Sequence, residues 1–344
     1  MSQQSPSPDE LAPERGGYRY PLFRRNDRLL PPDWSGPVYV WDIDNTYLRT
    51  EYANLRDLLR IRFEAPQDKR PVPGAVALLA GLRRRGVDPG PEGERGEGQE
   101  RPPIYFVSAS PTTMRPVLEK RMLIDGVVHD GITFRDLDKL RYLRDIFAYK
   151  LVALLTLRRE GPSGAEEHLF GDDREHDPWV YATYDRVCAG ALRGAELEAH
   201  LLEHGARRRS AAYVAALADD LPAHDPVRWV FIRKLGRPPA RPPSRRDRLR
   251  GKLTGAGKAP PPPPDDARIL FADDYAQVAA VLRAAGRIGA HDLQAIAREV
   301  RARGLGDEPS RLLALAAPRL PADGVAQARA ELEALDRDEP RSAP

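Results

Sequence analysis

Cysteine and long apolar runs are scarce in this chain of 344 residues. Cys188 is the single cysteine, which excludes an intrachain disulfide and fits a protein of the reducing cytosol. No apolar run approaches the roughly 20 residues that a transmembrane helix needs. Residues 1–17 carry acidic side chains and no apolar segment, so we expect no signal peptide there. These absences predict a cytoplasmic protein, for which any membrane contact would be peripheral.

A strong net charge is also lacking, because 54 basic side chains face 51 acidic ones. The basic residues are nevertheless concentrated between Arg228 and Lys258, where eleven Lys or Arg stand beside one acid, Asp247. Prolines interrupt this stretch, which predicts an extended basic linker over residues 236–266. Such a linker is either a solvated spacer or a contact for an anionic membrane surface. Aromatic residues do not interleave it as base stacking would require, so we expect no nucleic-acid partner.

Apolar runs and amphipathic stretches alternate through the first two-thirds of the chain. Strands are predicted at residues 38–43, 104–108, 131–135, 167–171 and 227–235, and helices at about 73–85, 112–122, 138–158 and from 177. This alternation is typical of an α/β fold, a doubly wound parallel sheet of Rossmann-like type.

Four further segments are predicted within or beside this core of residues 18–235. We expect a disordered tail at 1–17, a flexible Gly- and Pro-rich loop at 88–103, and a helical insert at about 188–224. Residues 267–338 contain four amphipathic stretches and are predicted to form a helical C-terminal extension that docks on the core.

The most informative segment is the apolar run from Val38 that ends in Asp42 and Asp44, with Thr46 two residues later. The two carboxylates leave a strand on the same side, since side chains alternate with a period of two. Carboxylates at the end of a buried strand are costly unless a metal, hydrogen bonds or chemistry compensates them. That end is also where open α/β sheets bind ligands. The pattern alone also fits a polar turn in which Thr46 caps the following segment.

Three more motifs follow in order. A second apolar run ends in Ser108, Lys150 stands at the start of a predicted helix, and a third run ends in Gly171-Asp172 with Asp177 five residues on. This series resembles the four motifs of the haloacid dehalogenase (HAD) superfamily of aspartyl phosphotransferases.

The resemblance narrows when the flanking residues are included. The segments 42–46, 70–74, 107–111, 134–136 and 171–181 are similar to those of the actin-patch phosphatidate phosphatase family and its bacterial relatives, over roughly residues 36–235. The chain departs from that family at two places. Asn45 stands where the family usually has Asp, and a helix-like insert follows Tyr184.

The resemblance implies a role for each motif residue. Asp42 would be the nucleophile, and Asp44 would protonate the leaving group and then activate water. Ser108 and Lys150 would bind and neutralise the transferring phosphoryl group. The remaining phosphate contacts would come from Thr46 and Ala109.

The same resemblance implies Mg²⁺ as cofactor. Its ligands would be the carboxylates of Asp42 and Asp172 together with the backbone carbonyl of Asp44. Asp177 or Asp173 would complete the site through water or by orienting Lys150.

The function expected from these motifs is a Mg²⁺-dependent phosphomonoesterase acting on a phosphatidate-like lipid. Two alternatives stay open: a phosphatase of a soluble phosphometabolite or nucleotide, and a non-catalytic module of the same fold that binds lipid or protein. The complete set of motif residues argues against the last alternative.

Overall fold

The structure is a computed structural model that describes residues 11–15, 17–49, 69–84, 101–136, 145–174, 176–235, 266, 268–306 and 308–338. Most of the predicted loop 88–103 and of the predicted linker 236–266 lies outside these residues, as do residues 1–10 of the predicted tail. Within the described part of the chain, every helix is too short or too polar to cross a bilayer.

A central sheet organises the fold. Its strands are β3 (Leu22–Asn26), β4 (Pro37–Asp42), β5 (Ile104–Pro111), β6 (Gly131–Arg135), β7 (Glu166–Asp172), β8 (Val227–Arg233) and β9 (Ile269–Ala272). In the described residues the spatial order is β3-β6-β5-β4-β7-β8-β9, parallel except for β3, which pairs antiparallel with β6. If the parallel strands are numbered 1 to 6 in chain order from β4 to β9, their spatial order is 3-2-1-4-5-6, the doubly wound order. That order reverses between β4 and β7. The predicted parallel α/β sheet is present.

Strand β4 lies at the centre because it is apolar on both faces. All six of its residues are buried, as expected for a parallel strand covered by helices on both sides. Tyr39 and Trp41 belong to the core on one face, and Val38 and Val40 belong to the core on the other. Trp41 stacks on Phe170 of β7 at 4.2 Å between ring centroids. The strand thus brings Asp42 to the point where the sheet order reverses.

Helices cover both faces. The first core contains residues of α1 (Ala75–Arg84), α2 (Arg115–Ile124), α7 (Tyr275–Ala284), α8 (Ala290–Arg301), α9 (Ser310–Ala316) and α10 (Ala322–Asp338). The second contains residues of α3 (Ile146–Glu160), α4 (Asp177–Cys188), α5 (Gly194–Glu203) and α6 (Arg208–Asp219). Helices α5 and α6 occupy the region in which the sequence predicts an insert.

The C-terminal segment is more than the predicted helical extension. Residues Ile269–Ala272 form β9 and pair in parallel with β8, so they complete the central sheet. The following helices α7 to α10 supply much of the first core. Four apolar residues between charged neighbours give a weak strand signal, so the sequence predicts only helices here.

The N-terminal residues also differ from the prediction. Within the segment expected to be disordered, Glu14–Arg15 (β1) pairs with Tyr18–Arg19 (β2), and Ala12 is fully buried. Tyr213 of α6 donates a hydrogen bond to the carbonyl of Pro13 at 2.5 Å. Contacts with α6 and the edge strand therefore fix residues whose own composition is polar.

Candidate active site

The predicted nucleophile and the predicted phosphate-binding lysine lie in direct contact. Asp42 is the last residue of β4 and Lys150 lies in the second turn of α3, and each is 1% exposed. The Lys150 ammonium donates to Asp42 Oδ1 at 3.0 Å. A buried ion pair of this kind fixes the carboxylate in one orientation, because leaving either charge uncompensated would be costly.

The second acidic motif converges on the same place. Asp172 ends β7 beside β4, and Asp177 is the first residue of α4; both are fully buried. Lys150 also donates to Asp177 Oδ1, while Asp177 Oδ2 accepts the backbone N–H of Asp172 at 3.1 Å. Asp177 therefore contacts both the Lys150 side chain and the backbone of Asp172.

Gly171 makes room for this arrangement. A Cβ atom at this position would lie 2.5 Å from Asp177 Oδ2 and 2.8 Å from the ring of Tyr181. The glycine of the Gly171-Asp172 motif is thus required because α4 starts directly against the end of β7.

Asp44 faces a different set of partners. Its Oδ2 atom accepts from Ser110 Oγ at 2.9 Å and from Ser108 Oγ at 3.5 Å. Ser108 is fully buried near the end of β5, and its Oγ accepts the backbone N–H of Ser110 at 3.1 Å. The structure thus brings Ser108 to Asp44, while Ser110 is a polar partner for which the sequence pattern predicts no role.

The turn after β4 carries Thr46. Tyr47 and Leu48 both donate their backbone N–H groups to the carbonyl of Ile43, at 3.0 and 2.9 Å. Asn45 has a φ of 58°, in the left-handed region that asparagine tolerates better than most residues. Thr46 is fully buried, and its hydroxyl has no hydrogen-bond partner among the described residues.

The remaining predicted site residues lie near this centre in different ways. Ala109 is half-buried between the two serines of β5. Asp173 is not brought into the carboxylate cluster, because its Oδ1 accepts the backbone N–H of Leu235 at 3.0 Å. That bond joins the ends of β7 and β8.

Two further residues of the site come from distant parts of the sequence. Arg233, at the end of β8, donates to the Asn45 carbonyl at 2.8 Å, and Tyr275 of α7 donates to the Thr46 carbonyl at 2.7 Å. Burial lowers the pKa of Arg233, although the charges of Asp172 and Asp173 act in the opposite direction. Neither residue belongs to a recognisable sequence motif. The signal for Arg233 is its position at the end of a predicted core strand.

The cluster suits a hard cation. Carboxylate oxygens of Asp42, Asp172 and Asp177 lie within 4.8 Å of one another, and all three residues are buried. When ionised, these three carboxylates carry three negative charges, against the single positive charge of Lys150. Buried negative charge requires compensation. Oxygen ligands of this type are those that Mg²⁺ prefers. The residues present therefore fit a divalent cation.

Residues 38–193 match the family described as the catalytic domain of phosphatidate phosphatase APP1. The matched segment includes Asp42, Asp44, Ser108, Lys150, Asp172 and Asp177. No curated protein and no solved structure matches the chain significantly. The resemblance inferred from the motifs is confirmed: over residues 38–193 the chain is similar to the phosphatidate phosphatase APP1 catalytic domain, and that similarity indicates a phosphatase, a hydrolase.

Proposed function

We propose that this protein is a Mg²⁺-dependent phosphomonoesterase that works through an aspartyl-phosphate on Asp42. One observation carries the proposal. Asp42 is fixed by Lys150 inside a buried cluster with Asp172 and Asp177, and a second carboxylate, Asp44, lies two residues away. A positioned nucleophile, a positive charge and a separate acid/base group are the requirements of phosphoryl transfer through a carboxylate.

Mg²⁺ would be held by the carboxylates of Asp42 and Asp172. When bound, it would supply positive charge that neutralises the phosphate oxygens. Asp177 is ion-paired with Lys150 and bonded to the Asp172 amide. It would therefore support the site by fixing both neighbours, as partners behind metal ligands commonly do.

In the first half-reaction a carboxylate oxygen of Asp42 attacks phosphorus and forms the acyl phosphate. The bond between phosphorus and the ester oxygen breaks, and that oxygen takes the proton of Asp44 as it leaves. Lys150 would neutralise charge on the transferring group, and the Ser108 hydroxyl, 3.5 Å from Asp44 Oδ2, would donate to it. These residues contribute mainly position and electrostatic stabilisation.

In the second half-reaction Asp44 takes a proton from water, whose oxygen attacks phosphorus of the acyl phosphate. The bond to Asp42 breaks, inorganic phosphate leaves, and the Asp42 carboxylate is restored. The hydroxyl of Ser110, 2.9 Å from Asp44 Oδ2, holds the acid/base group in place through both steps.

The decisive test is phosphate release from an aryl phosphate with and without Mg²⁺. Asp42→Asn keeps the shape of the side chain but cannot attack, so turnover should fall at least about 10⁴-fold while the protein stays folded. A matched control is Asp130→Asn. Asp130 is also buried and accepts the Ile104 amide at 2.8 Å, but it lies at the opposite end of the sheet. Near-normal turnover by Asp42→Asn would refute the mechanism.

The substrate class we propose is a phosphatidate-like lipid, which the matched family supports. Basic residues between Arg228 and Lys258, other than Arg233, would hold the protein on an anionic membrane, at about 1 kcal/mol for each engaged Lys or Arg. The part of this stretch from 236 onward lies outside the described residues.

Replacement of Arg241, Arg245, Arg246 and Arg248 by Gln should therefore weaken binding to phosphatidate-containing vesicles at low salt. Turnover of vesicle phosphatidate should fall in parallel, and turnover of a soluble aryl phosphate should not. Turnover of soluble phosphoesters together with indifference to vesicles would instead favour a soluble substrate.

A further inference from the structure

The turn that follows β4 is held from outside by two side chains of the C-terminal third. Arg233 donates to the Asn45 carbonyl at 2.8 Å and Tyr275 donates to the Thr46 carbonyl at 2.7 Å. The two donors belong to β8 and α7, and both lie beyond the family segment 38–193. Two successive carbonyls of one short turn are therefore bound by two separate elements.

Both donors are suited to a fixed support. Tyr275 is 2% exposed and its ring lies 5.6 Å from that of Trp41, so the phenol has little freedom to move. Burial and the charges of Asp42 and Asp172 raise the pKa of Tyr275, although Arg233 opposes this. The hydroxyl therefore remains a protonated, neutral donor at neutral pH.

The supported carbonyls adjoin the residues that the proposed chemistry uses. Asn45 follows Asp44 directly, and Asn45 itself adopts the left-handed conformation with a φ of 58°. A residue in that region costs free energy and is kept only when its surroundings fix it. Loss of an outside donor would let the turn relax, and a displacement of about 1 Å at a reacting group can cost roughly 100-fold in rate.

A third contact completes the support. Val72 donates its backbone N–H to the Tyr47 carbonyl at 2.9 Å. Two residues later Gly74 has a φ of 82°, and a Cβ atom there would lie 3.1 Å from the Cβ of Tyr275. The segment that pairs with the turn is thus packed against the same tyrosine.

We infer that Arg233 and Tyr275 are positioning residues for the proposed reaction: they hold the Asn45–Thr46 turn, and through it Asp44, in the reactive geometry. The inference rests on the proposed function for its effect on rate. It implies that a competent site needs residues well beyond 193.

The first measurement needs no turnover. Tyr275→Phe removes one hydroxyl and keeps the ring beside Trp41, so amide hydrogen exchange at residues 45–48 should become about 10-fold faster than in the wild type. Exchange in the central strands should not change. A matched control is Tyr213→Phe, which loses a hydroxyl bound to the Pro13 carbonyl far from the site. Unchanged exchange at 45–48 in Tyr275→Phe would overturn the inference.

The second measurement is the kinetics of aryl phosphate hydrolysis. Tyr275→Phe should lower kcat about 10-fold with little change in KM, and Tyr213→Phe should be normal. Arg233→Met should lower kcat further. Arg233→Lys should recover the share of the lost kcat that depends on a positive charge near Asp172. Normal kcat in both Tyr275→Phe and Arg233→Met would refute the positioning role.

The two proposals fail in different ways. A wild-type protein without any phosphatase activity would refute the proposed function, and the exchange measurement would still decide whether the turn is supported. An active wild type, an inactive Asp42→Asn, and full activity in both Tyr275→Phe and Arg233→Met would refute the inference alone.

Discussion

Buried tyrosines hold the backbone at the ends of the central strands. Tyr149 donates to the Ser108 carbonyl at 2.6 Å, Tyr181 to the Phe170 carbonyl at 3.0 Å, and Tyr275 to the Thr46 carbonyl. Burial raises the pKa of Tyr181 and of Tyr275, so both stay protonated donors. Ser108, Phe170 and Thr46 are fully buried, and a buried carbonyl without a hydrogen-bond partner is costly. These phenols therefore stabilise strand ends that carry the candidate site.

Gly171 offers a test of how closely the site is packed. In Gly171→Ala the new methyl group would lie 2.5 Å from Asp177 Oδ2, so α4 must shift and Asp177 must move relative to Lys150. We expect turnover to fall at least 10-fold and the free energy of unfolding to fall by about 1–3 kcal/mol. Kinetics and urea denaturation measure both effects.

Gly161→Ala is the matched control for that variant. Gly161 follows α3 with a φ of −79°, and its Cβ would meet nothing closer than 3.4 Å. This change should leave activity and stability nearly unaltered. Equal behaviour of the two variants would show that the contact at Gly171 does not position Asp177.

The sequence predicts a site residue where that residue lies at or near the end of a core strand. Asp42, Ser108 and Asp172 each end or nearly end a strongly apolar run, so parallel pairing alone brings them to one edge. Ser110 carries no such signal, because the register of β5 shifts between Val107 and Pro111. Arg233 and Tyr275 reach the site through packing that forms only in the folded chain.

At the scale of elements, the insert is attached to the helix that carries Lys150. Ser210 of α6 is fully buried and donates to Oδ2 of Asp145, the residue that precedes α3. Burial raises the pKa of Asp145 above its ordinary value near 3.8, although the Ser210 hydrogen bond lowers it. The ionised carboxylate thus depends on this hydroxyl, and the contact fixes the start of α3.

Ser210→Ala should therefore destabilise the protein by about 1–3 kcal/mol at neutral pH, because a buried carboxylate loses its donor. The raised pKa means that ionised Asp145 costs stability as the pH rises above 3.8. Removal of Ser210 enlarges that cost where Asp145 is ionised and leaves it small where Asp145 is protonated. The deficit should hence shrink as the pH falls toward 4.

Urea unfolding at several pH values measures this trend. Ser163→Ala is the matched control, since Ser163 is exposed and its backbone carbonyl, which the substitution keeps, accepts a hydrogen bond from Arg158. A deficit for Ser210→Ala that is independent of pH would contradict the role assigned to Asp145.

Elements differ in how well the sequence predicts them. Helices α5 and α6 lie within the helical insert predicted at about 188–224, because each is long enough to show an apolar stripe. Strand β3 is a five-residue edge strand with two buried positions, and β9 has four residues. Such short strands are fixed by their neighbours in the sheet and give little periodicity of their own.

For the whole molecule, the C-terminal segment is a component of the core. Gly81 of α1 lies so close to α8 that a Cβ atom would be 3.0 Å from Asp292 Cγ. Arg84 of the same helix forms an ion pair with Asp292, which is 1% exposed. Helix α10 crosses α7 at Gly324, where a Cβ atom would lie 2.2 Å from the Ala284 carbonyl. Contacts this close arise only when the C-terminal helices and the rest of the core fold together.

A chain that ends at residue 235 should therefore fail to fold. It would lack β9 and leave one edge of β8 unpaired, and the apolar faces of α1 and Trp41 would lose the helices that cover them. We expect an aggregated or unfolded product without a cooperative thermal transition, whereas a chain that ends at 338 should unfold cooperatively. Coexpression with residues 266–338 should restore soluble protein and aryl phosphatase activity, since the missing layer and Tyr275 are returned together. Cooperative unfolding and full activity of the 235-residue fragment alone would show that the site needs neither.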